Sequence, residues 1–259
     1  MDAAHFLNSM TKSTAQLGTI VRYSARQVFM GLKGEPSTLA HLRDLAWFDS
    51  NEKKLPTTTL EDSFPGITQL PVRLERSLPK VPGNVTVDEL AVIALLCQQK
   101  KPQIVFEFGT FNGRTTLNLA ANAPPDAKVF TLDLGVGDAT DLTTEQEDGV
   151  YHLGRESGSF FRDSSLRGKI EQIWCDSARF DETSFRGRVD LAFVDGAHSY
   201  EYVRSDSSKA IAMLRPGGIV LWHDYCAWYP GVFRCLHELL PNYPLKHIEG
   251  THLAILCAS

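Results

Sequence analysis

A doubly wound α/β domain behind an N-terminal helical extension is the fold that this chain predicts, on three observations. From Thr86 onward helical and strand patterns alternate to the end of the chain, the order expected of a parallel sheet covered by helices on both faces. A glycine turn, Gly109 to Gly113, follows the first short apolar run and opens a helix-like segment. Five successive strands then end in polar residues, at the edge where open α/β sheets bind ligands.

The 259 residues have room for one such domain with an appendage and can bury a full core. Hydrophobic residues at 43% and charged residues at 22% are ordinary for a globular protein. A net charge of −5 without any block of Lys or Arg supplies no electrostatic footprint for nucleic acid or an anionic membrane, and favours a small-molecule partner. Cys97, Cys175, Cys226, Cys235 and Cys257 are scattered, odd in number and free of CxxC spacing. Reduced, mostly buried thiols in a cytoplasmic protein are expected. Residues 1–13 lack the apolar core of a secretory signal, and no run reaches the length of a membrane span.

In chain order, Phe6, Leu7, Met10, Leu17, Ile20, Val21, Val28 and Phe29 recur at three- and four-residue spacings and predict one or two amphipathic helices ending near Gly31 and Gly34. These helices would pack on the main domain or join a homo-oligomer. A helical patch at 39–48 and a proline-punctuated stretch complete a cap or linker, so residues 1–83 form the extension and 84–259 the main domain. Thr86 with Glu89 predicts a capped helix start. Ile104, Val105, Phe106 and Phe108 predict a buried first strand. Arg114 to Ala121 follows as a helix ended by Pro124 and Pro125. Lys128–Leu134 is the second strand; 135–158 is a polar, acidic loop; 169–175, 189–194 and 219–222 supply the third to fifth strands. The helix from Tyr200 to Leu214 closes at RPGG. A helix at 232–240 and two strands near 245–248 and 252–257 finish the chain.

The strand ends carry Glu107, Gly109 and Gly113; Asp133; Asp176 and Ser177; Asp195 and His198; His223 and Asp224. Singly, each is an ordinary loop residue. Together, at five consecutive ends, they mark a site. Glu107 lies within the strand run, so its carboxylate needs hydrogen bonds from loop N–H groups or a cationic ligand. Asp133, 20 residues past Gly113, stands where a carboxylate takes both hydroxyls of an adenosine ribose. That spacing suits nicotinamide dinucleotides and S-adenosylmethionine alike. GTFNG lacks the glycine freedom of a dinucleotide loop.

EFGTFNGRTT, TLDL, CDSARF, FVDGAHSYEYVRSD, LRPGG and HDY, in that order, resemble the class I S-adenosylmethionine-dependent methyltransferases, particularly the catechol-type and macrolide-sugar O-methyltransferases. The resemblance covers about residues 84 to 257. It implies a Rossmann-like sheet of seven strands with the last antiparallel, S-adenosylmethionine as cofactor and a small-molecule hydroxyl as acceptor. It places Glu107, Gly109, Thr110 and Gly113 against the methionine part of the cofactor, Asp133 on the ribose, and Asp176 with Ser177 beside the adenine. Asp195 becomes a ligand of a divalent ion, Mg²⁺ or Mn²⁺, with Asp224 and His223 completing that site, and His198 takes the position of the base.

Methyl transfer from a sulfonium is an in-line displacement that needs an aligned, oxyanion-like acceptor. A hard cation on carboxylates and a neighbouring imidazole would provide it. His223 departs from the family pattern of oxygen ligands, because imidazole suits softer metals. Binding of a softer ion, a ring turned away and a site without metal all stay open. The alternative for His198, a loop histidine capping the next helix, carries less weight than the base role. Trp222, Trp228, Tyr229 and the GSFF segment near 155–163 are candidates for an acceptor wall and a lid. The other histidines show no common spacing. A non-catalytic module of the same fold, a nicotinamide-dependent oxidoreductase, and methylation of nitrogen or carbon are the rival readings.

Overall fold

The computed structural model describes residues 54–77, 83–135, 140, 142 and 157–258. The helices expected within residues 3–33, the patch at 39–48 and most of the 135–158 loop lie outside them. In chain order the elements are β1 (Thr57–Thr58), α1 (Leu60–Ser63), α2 (Val87–Lys100), β2 (Ile104–Phe108), α3 (Arg114–Asn122), β3 (Lys128–Asp133) and α4 (Ser159–Arg162). Then follow β4 (Ile170–Trp174), β5 (Val189–Val194), α5 (Tyr200–Met213), β6 (Leu214–Trp222), α6 (Pro230–Leu239), β7 (Lys246–Ile248) and β8 (Ala254–Cys257).

One sheet holds the strands in the order β1-β7-β8-β6-β5-β2-β3-β4. From β2 the chain steps outward through β3 to β4, then returns to lay β5 on the other side of β2. The reversal between β2 and β5 opens a crevice at their carboxyl ends, the usual ligand position in such sheets. Strand β8 runs antiparallel to β6 and β7, as the family resemblance implies. The eighth strand is an addition. Thr57 and Thr58 pair in parallel with His247 and Ile248 at the sheet edge, so the stretch read as linker is stitched in by His247 N–H to Pro56 O and Glu249 N–H to Thr58 O. Two residues are too few to show a strand period, which is why sequence patterning passes over them. The helix closes at RPGG as expected, and the difference there is that β6 starts at Leu214 rather than near Ile219, with Arg215, Pro216 and Gly217 exposed and the pairing with β5 shifted in register.

Alternate residues of the strands feed two cores. Val105, Val129, Leu191, Phe193, Ile219 and Leu221 face α2 and α3 with Leu90, Ile93 and Leu119. Phe106, Phe108, Ala192, Val220 and Trp222 face the opposite layer with Val203, Met213, Val232 and Leu236 from α5 and α6. Burial on both faces explains why β5 is apolar almost without interruption. Helix α2 starts at the expected box: Glu89 N–H donates to Thr86 Oγ1 and Thr86 N–H to Glu89 Oε2. Among the described residues no helix is long and apolar enough to cross a membrane.

Candidate active site

The carboxyl ends of β2, β3, β4, β5 and β6 surround a cavity of about 530 Å³. Gly109, Thr110, Asp133, Asp176, Ser177, Asp195, His198, His223 and Asp224 all line it. Glu107 and Gly113 stand behind that wall. Gly113 (φ 80°) caps α3, and a Cβ there would run into the Phe161 ring. Gly109 (φ 93°) is needed because a Cβ would collide with the carbonyl of Asp195 on the neighbouring strand. Both glycines thus let protein approach protein.

Glu107 is 1% exposed. Its Oε2 accepts from the hydroxyls of Thr116 and Thr131, the latter at 2.6 Å, while its Oε1 is buried without a partner among the described residues. Two side-chain hydroxyls, rather than the loop N–H donors expected from the sequence, are its partners among the described residues. Burial, opposed in part by those two hydroxyls, lifts its pKa to about 8. Thr131 passes the chain on to Thr110 at 2.7 Å, which does face the cavity.

At one end of the cavity, Asp133 accepts from Phe111 N–H at 3.1 Å, Leu134 N–H at 3.0 Å and Ser157 Oγ at 2.5 Å. Ser157 belongs to the segment expected as a lid. Its described part is instead fastened to the glycine loop, with Gly158 N–H on Phe111 O and Phe160 N–H on Asn112 O, and Phe161 is buried against Gly113. Asp176 is held by Tyr202 Oη and Ala178 N–H, each at 2.9 Å. Asp206, beside them on α5, also lines the cavity, and burial raises its carboxyl to about 7.

At the other end, His198 Nε2 meets Asp224 Oδ2 at 2.8 Å, and its ring stacks on Tyr229 with centroids 4.1 Å apart. The His223 ring lies among three carboxylates: Nδ1 is 3.0 Å from Asp195 Oδ1 and 3.1 Å from Asp224 Oδ2, and Nε2 is 3.3 Å from Glu89 Oε2. Ionised carboxylates only accept, so this setting favours a proton on both ring nitrogens, the imidazolium form of His223. Burial alone would discharge it, but Asp224 and Asp195 outweigh burial and raise its pKa well above the usual value. Burial likewise opposes ionisation of Glu89, yet His223 and the N–H groups of His252 and Thr86 pull it down to about 2. Of the two aspartates that share the ring, Asp195 is raised by burial against the attraction of His223. Asp224, though buried, is lowered by His223 and His198 together.

Glu89 is the residue that sequence reasoning missed. Its place in a capping box accounts for it fully from the sequence, and only packing brings its second oxygen against His252 N–H at 2.7 Å. Cys226 and His252 also line the cavity without having been singled out. Trp228 and Tyr229 do form part of the wall, whereas Trp222 is core, 0% exposed, with Nε1–H on Ser207 Oγ at 2.9 Å.

The family model described as a methyltransferase domain matches residues 106–225. A solved O-methyltransferase from Streptomyces achromogenes, described as involved in tomaymycin synthesis and in complex with S-adenosylmethionine, superposes with a TM-score of 0.51 at 16% identity. The match covers 78% of this chain and 100% of that one. The chain has the fold of these methyltransferases. A Bacillus cereus O-methyltransferase in complex with S-adenosylhomocysteine shares the methyltransferase architecture with a TM-score of 0.50 at 15% identity, covering 68% of this chain and 84% of its own. In sequence, the tapetum-specific methyltransferase 1 of Arabidopsis thaliana is 25% identical over 173 residues, 62% of this chain and 66% of the relative, so the alignment spans just under two thirds of that protein. The matched methyltransferase domain runs from within β2 to just beyond β6 and so contains all the strand-end residues, with Glu89, Cys226 and His252 flanking it.

Proposed function

We propose that this methyltransferase domain transfers the methyl group of S-adenosylmethionine to a hydroxyl of a small molecule, with His198 as general base. The observation that carries the reading is one cavity with a hydrogen-bonded carboxylate, Asp133, at one end and the His198–Asp224 pair at the other. Its 530 Å³ is in the range of small-ligand and cofactor sites, and Asp133 at the end of β3 fits an adenosine ribose. The bound cofactor would supply an electrophilic methyl. Asp133 would bind the ribose hydroxyls, Asp176 and Ser177 would border the base, and Gly109 and Thr110 would lie against the methionine portion. Asp224 orients the imidazole of His198 by accepting from Nε2–H, and stacking on Tyr229 fixes the ring plane, so Nδ1 is the nitrogen that can take the acceptor's proton.

A hard divalent ion does not fit Asp195, His223 and Asp224 as arranged. The His223 ring, held as an imidazolium by Asp195, Asp224 and Glu89, presents N–H groups rather than a lone pair to an incoming ion, so we read this point of the site as a built-in cation, without Mg²⁺ or Mn²⁺.

Calorimetric titration with S-adenosylhomocysteine, paired with methyl-transfer assays over a panel of hydroxylated acceptors, tests the reading. Asp133→Ala should weaken binding by about tenfold or more, the loss of hydrogen bonds to a charged group. His198→Ala should leave that affinity nearly unchanged and cut turnover about 100-fold or more. Absence of S-adenosylhomocysteine binding, or full turnover in His198→Ala, would reject it.

A further inference from the structure

Asp224, Cys226 and His252 converge on the cavity beside the His198–Asp224 pair, each offering one ligand atom, and those atoms all lie within 4.8 Å of one another. The fold fastens the three together. Asp224 sits at φ 59°, a left-handed conformation that doubles the chain back so that Cys226 N–H reaches Asp224 O at 2.7 Å. Tyr225 N–H donates to His252 O at 2.9 Å, and His252 N–H is anchored on Glu89. Both histidine contacts to Asp224 fall on Oδ2, so among the described residues Oδ1 carries no hydrogen bond. The His252 ring is exposed and likewise has no hydrogen-bond partner among them. Tyr229 N–H donates to Cys226 O at 3.2 Å and closes the turn that carries the thiol.

We propose that Asp224, Cys226 and His252 form a site for a zinc-class divalent ion, with a coordination position left open to the cavity. Thiolate, imidazole and carboxylate are the donors such ions select over Mg²⁺. Ligand atoms around a tetrahedral ion stand about 3.5 Å apart, so small side-chain rotations close the site. Three protein ligands with a fourth position free is the pattern of a reactive rather than a structural ion. The free position suits the acceptor's oxygen, and in that assignment the proposal rests on the methyl-transfer reading; the ion site itself does not.

Titration of metal-free protein with Co²⁺ tests it. One equivalent should bind with thiolate-to-cobalt charge-transfer absorption, and Zn²⁺ should displace it while Mg²⁺ does not. Cys226→Ser should abolish the band, and His252→Ala, at an exposed position that tolerates truncation, should weaken Co²⁺ binding about tenfold or more. Cys175→Ser and Cys257→Ser should keep the band. Lack of the band in the wild type, its survival in Cys226→Ser or unchanged affinity in His252→Ala overturns the site. S-adenosylhomocysteine titration of the same samples separates the two ideas. Cobalt failure with intact nucleotide binding rejects only the ion, and the reverse rejects only the methyl-transfer reading.

Discussion

At the scale of single residues, Glu107 shows how burial sets chemistry. Its pKa moves from an ordinary 4.5 to about 8 because burial in the strand interior outweighs the two hydroxyls that it accepts from. Between those values the unfolded chain has released a proton that the native state keeps, so this group makes stability fall as pH rises. Glu107→Gln copies the neutral carboxyl and removes that slope. Urea unfolding at about pH 5 and about pH 8 should show a smaller difference for the variant than for the wild type; an unchanged difference would mean that Glu107 is ionised in the fold. The sequence marks Glu107 as a buried acid in need of partners. It does not say which, because Thr116 and Thr131 reach it from α3 and β3 rather than from neighbouring positions in the chain.

At the scale of elements, the crevice depends on β2 and β5 meeting closely at their ends. Asp195 N–H donates to Phe108 O at 2.9 Å, and Gly109 lies directly under the Asp195 carbonyl. Gly109→Ala would place a methyl against backbone and force a side chain into φ 93°. We expect a loss of about 2 kcal/mol or more in unfolding free energy, together with loss of S-adenosylhomocysteine binding. Wild-type stability and affinity in this variant would mean that the two strand ends yield easily. The glycine pattern is legible in the sequence as a turn; that its nearest neighbour is another strand end rather than a ligand follows from the order in which β5 is laid beside β2.

At the scale of the molecule, Glu89 and His223 tie the start of α2 to the end of β6, and through His252 to the turn before β8. Glu89 is depressed to about 2, so its contribution is full above the ordinary carboxylate pKa and is lost as pH falls toward that value. The contribution of His223, whose pKa is raised, is full below about 6.5 and fades as pH climbs through the elevated one. Glu89→Gln should therefore flatten the acid limb, so that unfolding free energies at about pH 3 and pH 6 differ less than in the wild type; equal slopes would dissolve the link. The sequence alone determined the alternation of β2 to β6 with α2, α3 and α5, the capped start at Thr86 and the polar strand ends, because hydrophobic period, caps and turns are local properties. Which of those ends share one cavity, that Thr57–Thr58 closes the sheet edge, and that His223 is a cation among Asp195, Asp224 and Glu89 were decided only by tertiary structure. Residues separated by more than a hundred positions meet there, and their charge states follow from a burial that no local window contains.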